Sequence, residues 1–139
     1  MSEQTSSEYM LLFRGNDCYQ DLPPGELQQA MTKFKAWFEG LSEQGQLKAG
    51  QPLFEKRVLV SAKNGRVVAD GPFAESKESI GGYFLLTVDT MDQAVAIAKN
   101  CPTLEYGMVV EVRPVAGECP LMARVREFAS DKELAPAAA

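Results

Sequence analysis

Histidine is absent from this chain of 139 residues. That absence removes Ser-His-Asp and Cys-His catalytic arrangements, HExxH zinc sites and every mixed His/Cys zinc site. Acid–base chemistry would have to fall to carboxylates, lysine, tyrosine or cysteine. Cysteine is scarce as well. Cys18, Cys101 and Cys119 are an odd number at wide, patternless spacing, which predicts free thiols in a reducing cytoplasm rather than a disulfide framework. No apolar run approaches the ~20 residues of a membrane span. The polar start MSEQTSSEY lacks the charged-then-apolar order of a signal peptide, so a cytoplasmic location and no membrane partner are expected. Positive charge is short: 14 Lys and Arg face 19 Asp and Glu, a net charge of −5. With no dense basic stripe carrying interleaved aromatics, direct nucleic-acid binding is disfavoured.

What is present centres on residues 70–84, DGPFAESKESIGGYF. Asp70-Gly71 can leave a strand through a positive φ, which glycine adopts without steric cost. Pro72 fixes its own φ and pushes Gly71 out of helical geometry, stiffening the entry of the loop. Phe73 is expected to plug into the core. Glu75, Lys77 and Glu78 form a charged tip, and Gly81-Gly82 lets the backbone bend or approach something closely before an apolar strand. Two readings stand side by side: a rigid loop with a solvated tip, or a pocket wall whose charges are placed to hold a ligand.

The rest of the chain delivers the backbone to this loop and away from it. Residues 8–14 (EYMLLFR) read as a buried strand. A helix is expected from Pro24, because proline is pre-set for a first helical turn and Glu26 suits the dipole there. Leu27, Ala30, Met31, Phe34, Trp37, Phe38 and Leu41 fall on one face of it, a stripe expected to pack rather than to line a cofactor site. Gly45 is a stop signal. A short edge strand is possible at 47–49. Residues 57–63 and 66–70 flank Asn64-Gly65, a strong hairpin signal. Thr90 and Gln93 have the spacing of a capping box, with Cys101 at the buried end of the helix that follows and Pro102 ending it. Residues 108–115 alternate as a strand with one wetter face. Residues 118–133 can form an amphipathic helix through Leu121, Val125, Phe128 and Ala129.

The order strand, helix, hairpin, strand, helix, strand predicts an α+β fold, a ferredoxin-like split βαβ arrangement around one antiparallel sheet. Residues 1–7 are expected to be disordered, 8–117 to form the domain, and 118–139 to be an extension with a short helix and a frayed tail. Helices would cover one sheet face only. The other, carrying Met10/Leu12, Val58/Val60 and Tyr83/Leu85 or their alternates, is too apolar to leave in water, and a sheet-on-sheet homodimer is the simplest cover.

At these residues the chain resembles the YCII-related family, specifically its DGPF-motif branch. Residues 70–78 match the branch's DGPFAE-x-KE, residues 81–84 its glycine pair and aromatic strand, and 110–115 its closing VEVRPV strand. The resemblance covers roughly residues 9–115 and implies a dimeric α+β barrel. Relatives in the wider family are thought to be small-molecule enzymes using a His–Asp pair in a cleft, which this chain cannot reproduce without histidine. Some DGPF relatives occur beside RNA polymerase sigma factors, which implies a regulatory or accessory role by association.

Two functions follow as expectations. In the first, a pocket near the loop binds or converts a small molecule, with Asp70 and Glu78 as acid–base groups. Glu75, Lys77 and Arg113 would then contact the ligand, and Tyr83 would form a hydrogen-bonding wall. A carboxylate in that role needs apolar surroundings that raise its pKa. The bland alternative has Asp70 capping the turn and the charged tip pairing weakly in solvent. In the second, a non-enzymatic dimer acts with a protein partner such as a sigma factor. No cofactor is implied, and the spacing of Asp70, Glu75 and Glu78 matches no known metal cage.

Overall fold

The computed structural model describes residues 7–15, 21–54, 56–73 and 79–130, apart from the side chains of Pro72, Phe73 and Ser130. The expectations for residues 1–6, Cys18, the Phe73 side chain and the tail from 131 onward lie outside these residues.

Strand β1 (Glu8–Arg14) alternates strictly, with Tyr9, Leu11 and Phe13 buried and Met10 and Leu12 half-buried on the opposite face. Helix α1 (Pro24–Glu43) starts with proline at its first position, and the Pro23 carbonyl accepts from Leu27 N at 3.0 Å. Strands β2 (Leu47–Pro52), β5 (Ile80–Thr87) and β6 (Val109–Pro114) complete a four-stranded antiparallel sheet with β1, in the order β2-β5-β1-β6. Read as a first strand, a strand after the first helix, a third strand and a strand after the second helix, that order is ferredoxin-like. Helix α1 and helix α2 (Met91–Lys99) belong to the face that carries Tyr9, Leu11, Phe13, Phe84 and Leu86, where Leu41, Ala94, Ile97 and Ala98 complete the core.

Local signals explain most boundaries. The Thr90 hydroxyl accepts from Gln93 N at 3.1 Å, while the Gln93 side chain accepts from Thr90 N at 3.1 Å, a complete capping box for α2. Thr90→Ala is expected to lower stability by ~1 kcal/mol, read as a shifted urea midpoint at unchanged slope. Asn64 (φ 52°) and Gly65 (φ 78°) form the left-handed pair of a two-residue turn joining β3 (Arg57–Lys63) to β4 (Arg66–Phe73).

One expectation of placement is corrected. The β3–β4 hairpin forms a two-stranded sheet of its own and is not part of the main sheet. The chain of 46–53, expected to supply only a short edge strand, fills the slot beside β5. Thr87 N donates to Gln46 O at 2.8 Å and Leu53 N to Gly81 O at 2.9 Å, closing both ends of that pairing. Val58 and Val60 therefore sit on an exposed hairpin and not on the open sheet face. A further element, a 3-10 turn over Pro102–Tyr106, follows α2.

Helix α3 (Pro120–Ser130) ends the described chain. Arg126 holds the Glu118 carboxylate with both terminal nitrogens, the Nη2–Oε1 bond being 3.0 Å. That hydrogen bond holds the Glu118 carboxyl below its ordinary range. A depressed folded-state value means the contact contributes above the unfolded value and is lost as pH falls through the folded one. The NMR titration midpoint of the Glu118 carboxyl is expected below that of an ordinary glutamate, and back in the ordinary range in Arg126→Gln.

Candidate functional site

The apolar stripe of α1 is wider than the sheet beneath it can cover. Phe34 and Trp37 reach Phe13 and Phe84 in ring contacts of 4.9 to 6.2 Å between centroids among these four residues. Beyond them, toward the β2 edge, lies a cleft of about 1250 Å³. Phe13, Phe84 and Met108 line it from the sheet side, and Met31, Phe34 and Phe38 from α1. Strand β2 and the chain through Leu53, Phe54 and Lys56 form another wall, and Gly81, Gly82 and Tyr83 close the end.

Two glycines set the shape of this wall. A Cβ on Gly50 would stand 2.8 Å from Phe84 Cδ1 and 2.9 Å from the Tyr83 carbonyl oxygen, and one on Gly82 3.0 Å from the Gln51 carbonyl oxygen. The strands therefore approach closely only because both positions lack side chains, which is the close approach that the Gly81-Gly82 pair predicts. Met108 is held by a buried relay. Thr103, fully buried, donates its hydroxyl to Met108 Sδ at 3.1 Å, so the Cys101 thiol, 3.1 Å from the same oxygen, is the donor to it. Cys101 thus has a structural task.

Polar residues at the cleft are few among the described residues: Ser42, Gln51, Lys48 and Lys56, with Tyr83 bordering it as part of β5 while its side chain belongs to the opposite face of the sheet. Lys48 is paired with Glu8. No carboxylate lines the cleft among the described residues. The arrangement can hold an apolar molecule and offer it an amine. A carboxylate acid or base would have to come from elsewhere.

The site residues expected from the sequence are not gathered in one place among the described residues. Tyr83 borders the cleft as part of β5, but its side chain lies on the opposite face of the sheet with Leu12 and Leu85. Asp70 lies on β4 of the separate hairpin, its carboxylate half-exposed and 3.9 Å from Lys63 Nζ. Gly71 beside it takes the positive φ (129°) that its motif requires. Arg113 is on β6, the edge strand farthest from β2, exposed and 3.8 Å from Glu111, which itself pairs with Arg14 at 2.6 Å. Glu75, Lys77 and Glu78 lie outside the described residues. Sequence reasoning missed Gly50, Met108 and Lys56 as lining residues and read Met31, Phe34 and Phe38 as packing alone. The available signal was the breadth of the α1 stripe, which exceeds what one sheet edge can cover.

The profile of the YCII-related domain matches residues 8–116. An uncharacterised protein of Rhizobium meliloti is 40% identical over 63 residues, 39% of this chain and 48% of that protein, so the match spans about half the relative's length. Among solved structures, 5-chloro-2-hydroxyhydroquinone dehydrochlorinase from Burkholderia phenoliruptrix, in complex with 2,5-dihydroxybenzoquinone, is similar over 80% of this chain and 95% of its own. The sequence identity is 15% and the TM-score 0.42, and no chemistry is carried over from it.

Proposed function

The chain belongs to the YCII-related domain family, and on that footing we propose that it binds a small, predominantly apolar molecule of ring size in the cleft between α1 and β2. One observation carries this reading: a large concave space walled by aromatic and aliphatic side chains, with a few polar groups on its walls. Binding sites for small molecules have that composition, apolar surface for affinity and sparse polar groups for orientation. Lys56 favours an anionic substituent on the ligand. Conversion of the ligand would draw on Lys56 or the loop carboxylates Glu75 and Glu78. Asp70 and Arg113 take no part in the cleft. The motif DGPFAE-x-KE at 70–78 supports membership of the DGPF branch.

The binding form in this reading is a homodimer. Met10, Leu12, Tyr83 and Leu85 share the face of the sheet opposite the helices and are only half-buried within one chain. Sheet-on-sheet packing would complete their burial. The free thiols Cys101 and Cys119 fit a cytoplasmic setting, and no described helix is long and apolar enough to cross a membrane.

Native mass spectrometry of the protein isolated from its own cells tests this. A discrete small organic adduct on the dimer is the expected result. A complex with a second protein and an empty cleft would overturn it in favour of a regulatory module, of the kind that associates with sigma factors.

A further inference from the structure

Phe54 is 96% exposed, more than any other large hydrophobic among the described residues, and yet it lines the cleft. Leu53 and Met31, 47 and 41% exposed, line the same space. Single apolar side chains on a surface are ordinary, but an apolar rim continuous with a concave apolar wall is the form of a binding surface. The chain at Phe54 is held by neither sheet. The pairing of β2 with β5 closes just before it, at Leu53 N to Gly81 O, and β3 begins only at Arg57. The opposite wall is also apolar and partly aromatic, with Met31, Phe34 and Phe38 of α1.

Charge is distributed unevenly at this rim. Two amines line the cleft, and Lys48 is neutralised by Glu8. Lys56 meets no carboxylate among the described residues. It is therefore the one uncompensated charge that the described walls bring to a ligand.

We propose that Phe54 and Lys56 are the specificity-determining pair of this site: Phe54 lies against a ring of the ligand, and Lys56 receives an acidic group carried by that ring. This rests on the small-molecule reading above and adds the ligand's class and its orientation. The class is a flat ring anion, held with its charge toward the start of β3 and its ring body toward Phe84. Two positions of chain span about 7 Å at most, which suits a charge borne on the ring itself or on a short arm. An anion entering apolar surroundings without a partner is strongly penalised, and Lys56 removes that penalty at one end of the cleft only. An organic cation would meet Lys56 and no carboxylate among the described lining residues, so the opposite charge is selected against. Aromatic rings gain from offset or edge contact beyond the area they bury, which a fully exposed ring such as Phe54 obtains only from a ligand.

Two probes with one ring system separate the roles: 1-anilinonaphthalene-8-sulfonate, and N-phenyl-1-naphthylamine, which lacks the sulfonate. Energy transfer from Trp37, the single tryptophan, reads their binding. Lys56→Gln is expected to weaken the sulfonate probe at least about tenfold and to leave the neutral probe within about twofold. Phe54→Ala is expected to weaken both at least about tenfold, and Phe54→Tyr, which keeps the ring, to bind both as the wild type does. Because Phe54 is 96% exposed, these variants should keep the wild-type Tm. Saturable transfer in the wild type that either Lys56→Gln or Phe54→Ala leaves unchanged for the sulfonate probe overturns the pair and leaves the cleft reading standing. No saturable transfer to either probe in the wild type overturns the cleft reading, and the pair with it.

Discussion

Phe84→Ala is expected to destabilise the protein by ~3–5 kcal/mol, the range for removing a well-packed core aromatic. Phe84 sits on β5, the strand flanked by both β1 and β2, and is 8% exposed. Its ring meets Phe13 edge-on at 4.9 Å, stacks with Trp37 at 5.3 Å, and reaches Phe34 and Phe38 at 5.8 and 6.4 Å. Deleting it removes a partner from four rings at once, and the strand backbone cannot collapse into the space. A loss of Tm of about 10 °C or more should accompany the change. Trp37 is the single tryptophan, so its emission should shift to the red as its stacked partner disappears. Phe84→Leu, which keeps volume at the site, is expected to cost less than half as much. A cost for Phe84→Ala under about 1 kcal/mol would mean that the cluster is not the centre of the core.

Gly50→Ala is expected to have the largest effect on the cleft for the smallest chemical change. The added carbon would meet the Phe84 ring at 2.8 Å and the Tyr83 carbonyl oxygen at 2.9 Å. The ring can turn away, but the carbonyl belongs to a paired strand and can move only with it. Overpacking of this kind costs about 1–3 kcal/mol. The ring's escape is toward the cleft that it lines, so cleft volume falls as well. Binding of 1-anilinonaphthalene-8-sulfonate, an apolar ring probe with one negative charge, is expected to weaken at least tenfold. Wild-type affinity in a folded Gly50→Ala protein would show that this wall does not shape the site.

Local chemistry made much of the fold legible. Pro24, the Thr90–Gln93 box and Asn64-Gly65 each fix a boundary through backbone chemistry that needs no distant partner, and each stands where the sequence placed it. Residues 8–14 were likewise legible as a strand, but a continuous apolar run does not say which face is buried, and the structure buries Tyr9, Leu11 and Phe13. What the sequence could not rank was competition between strands for one sheet edge. LKAGQP is a poor strand by propensity, with a glycine, a proline and little β-branching, while RVLVSAK is a good one. Yet LKAGQP pairs with β5 because Gly50 and Gly82 let the two backbones close over Phe84. That is a tertiary preference, invisible to propensity.

The candidate site was legible in the same uneven way. The glycine pair was singled out for close approach and ends the cleft, whereas Tyr83, expected as a hydrogen-bonding wall, borders the cleft as part of β5 with its side chain on the other face of the sheet. Asp70 was drawn into the site because it adjoins them in a motif, but the motif bridges two separate sheets. Neighbours in sequence there are not neighbours on one surface. Phe34 and Phe38 serve both packing and cleft, and a hydrophobic stripe carries no mark to separate those duties.

The claim that the cleft binds a small apolar molecule is tested most directly by energy transfer from Trp37 to 1-anilinonaphthalene-8-sulfonate. Trp37 stacks on Phe84, which lines the cleft, so a probe bound there is within range of the single donor. The expected result is a saturable signal at one probe per chain, weakened by Gly50→Ala and unchanged by Leu121→Glu on α3. Transfer that fails to saturate, or that survives Gly50→Ala and disappears with Leu121→Glu, would contradict it by placing the probe on the exposed helix rather than in the cleft.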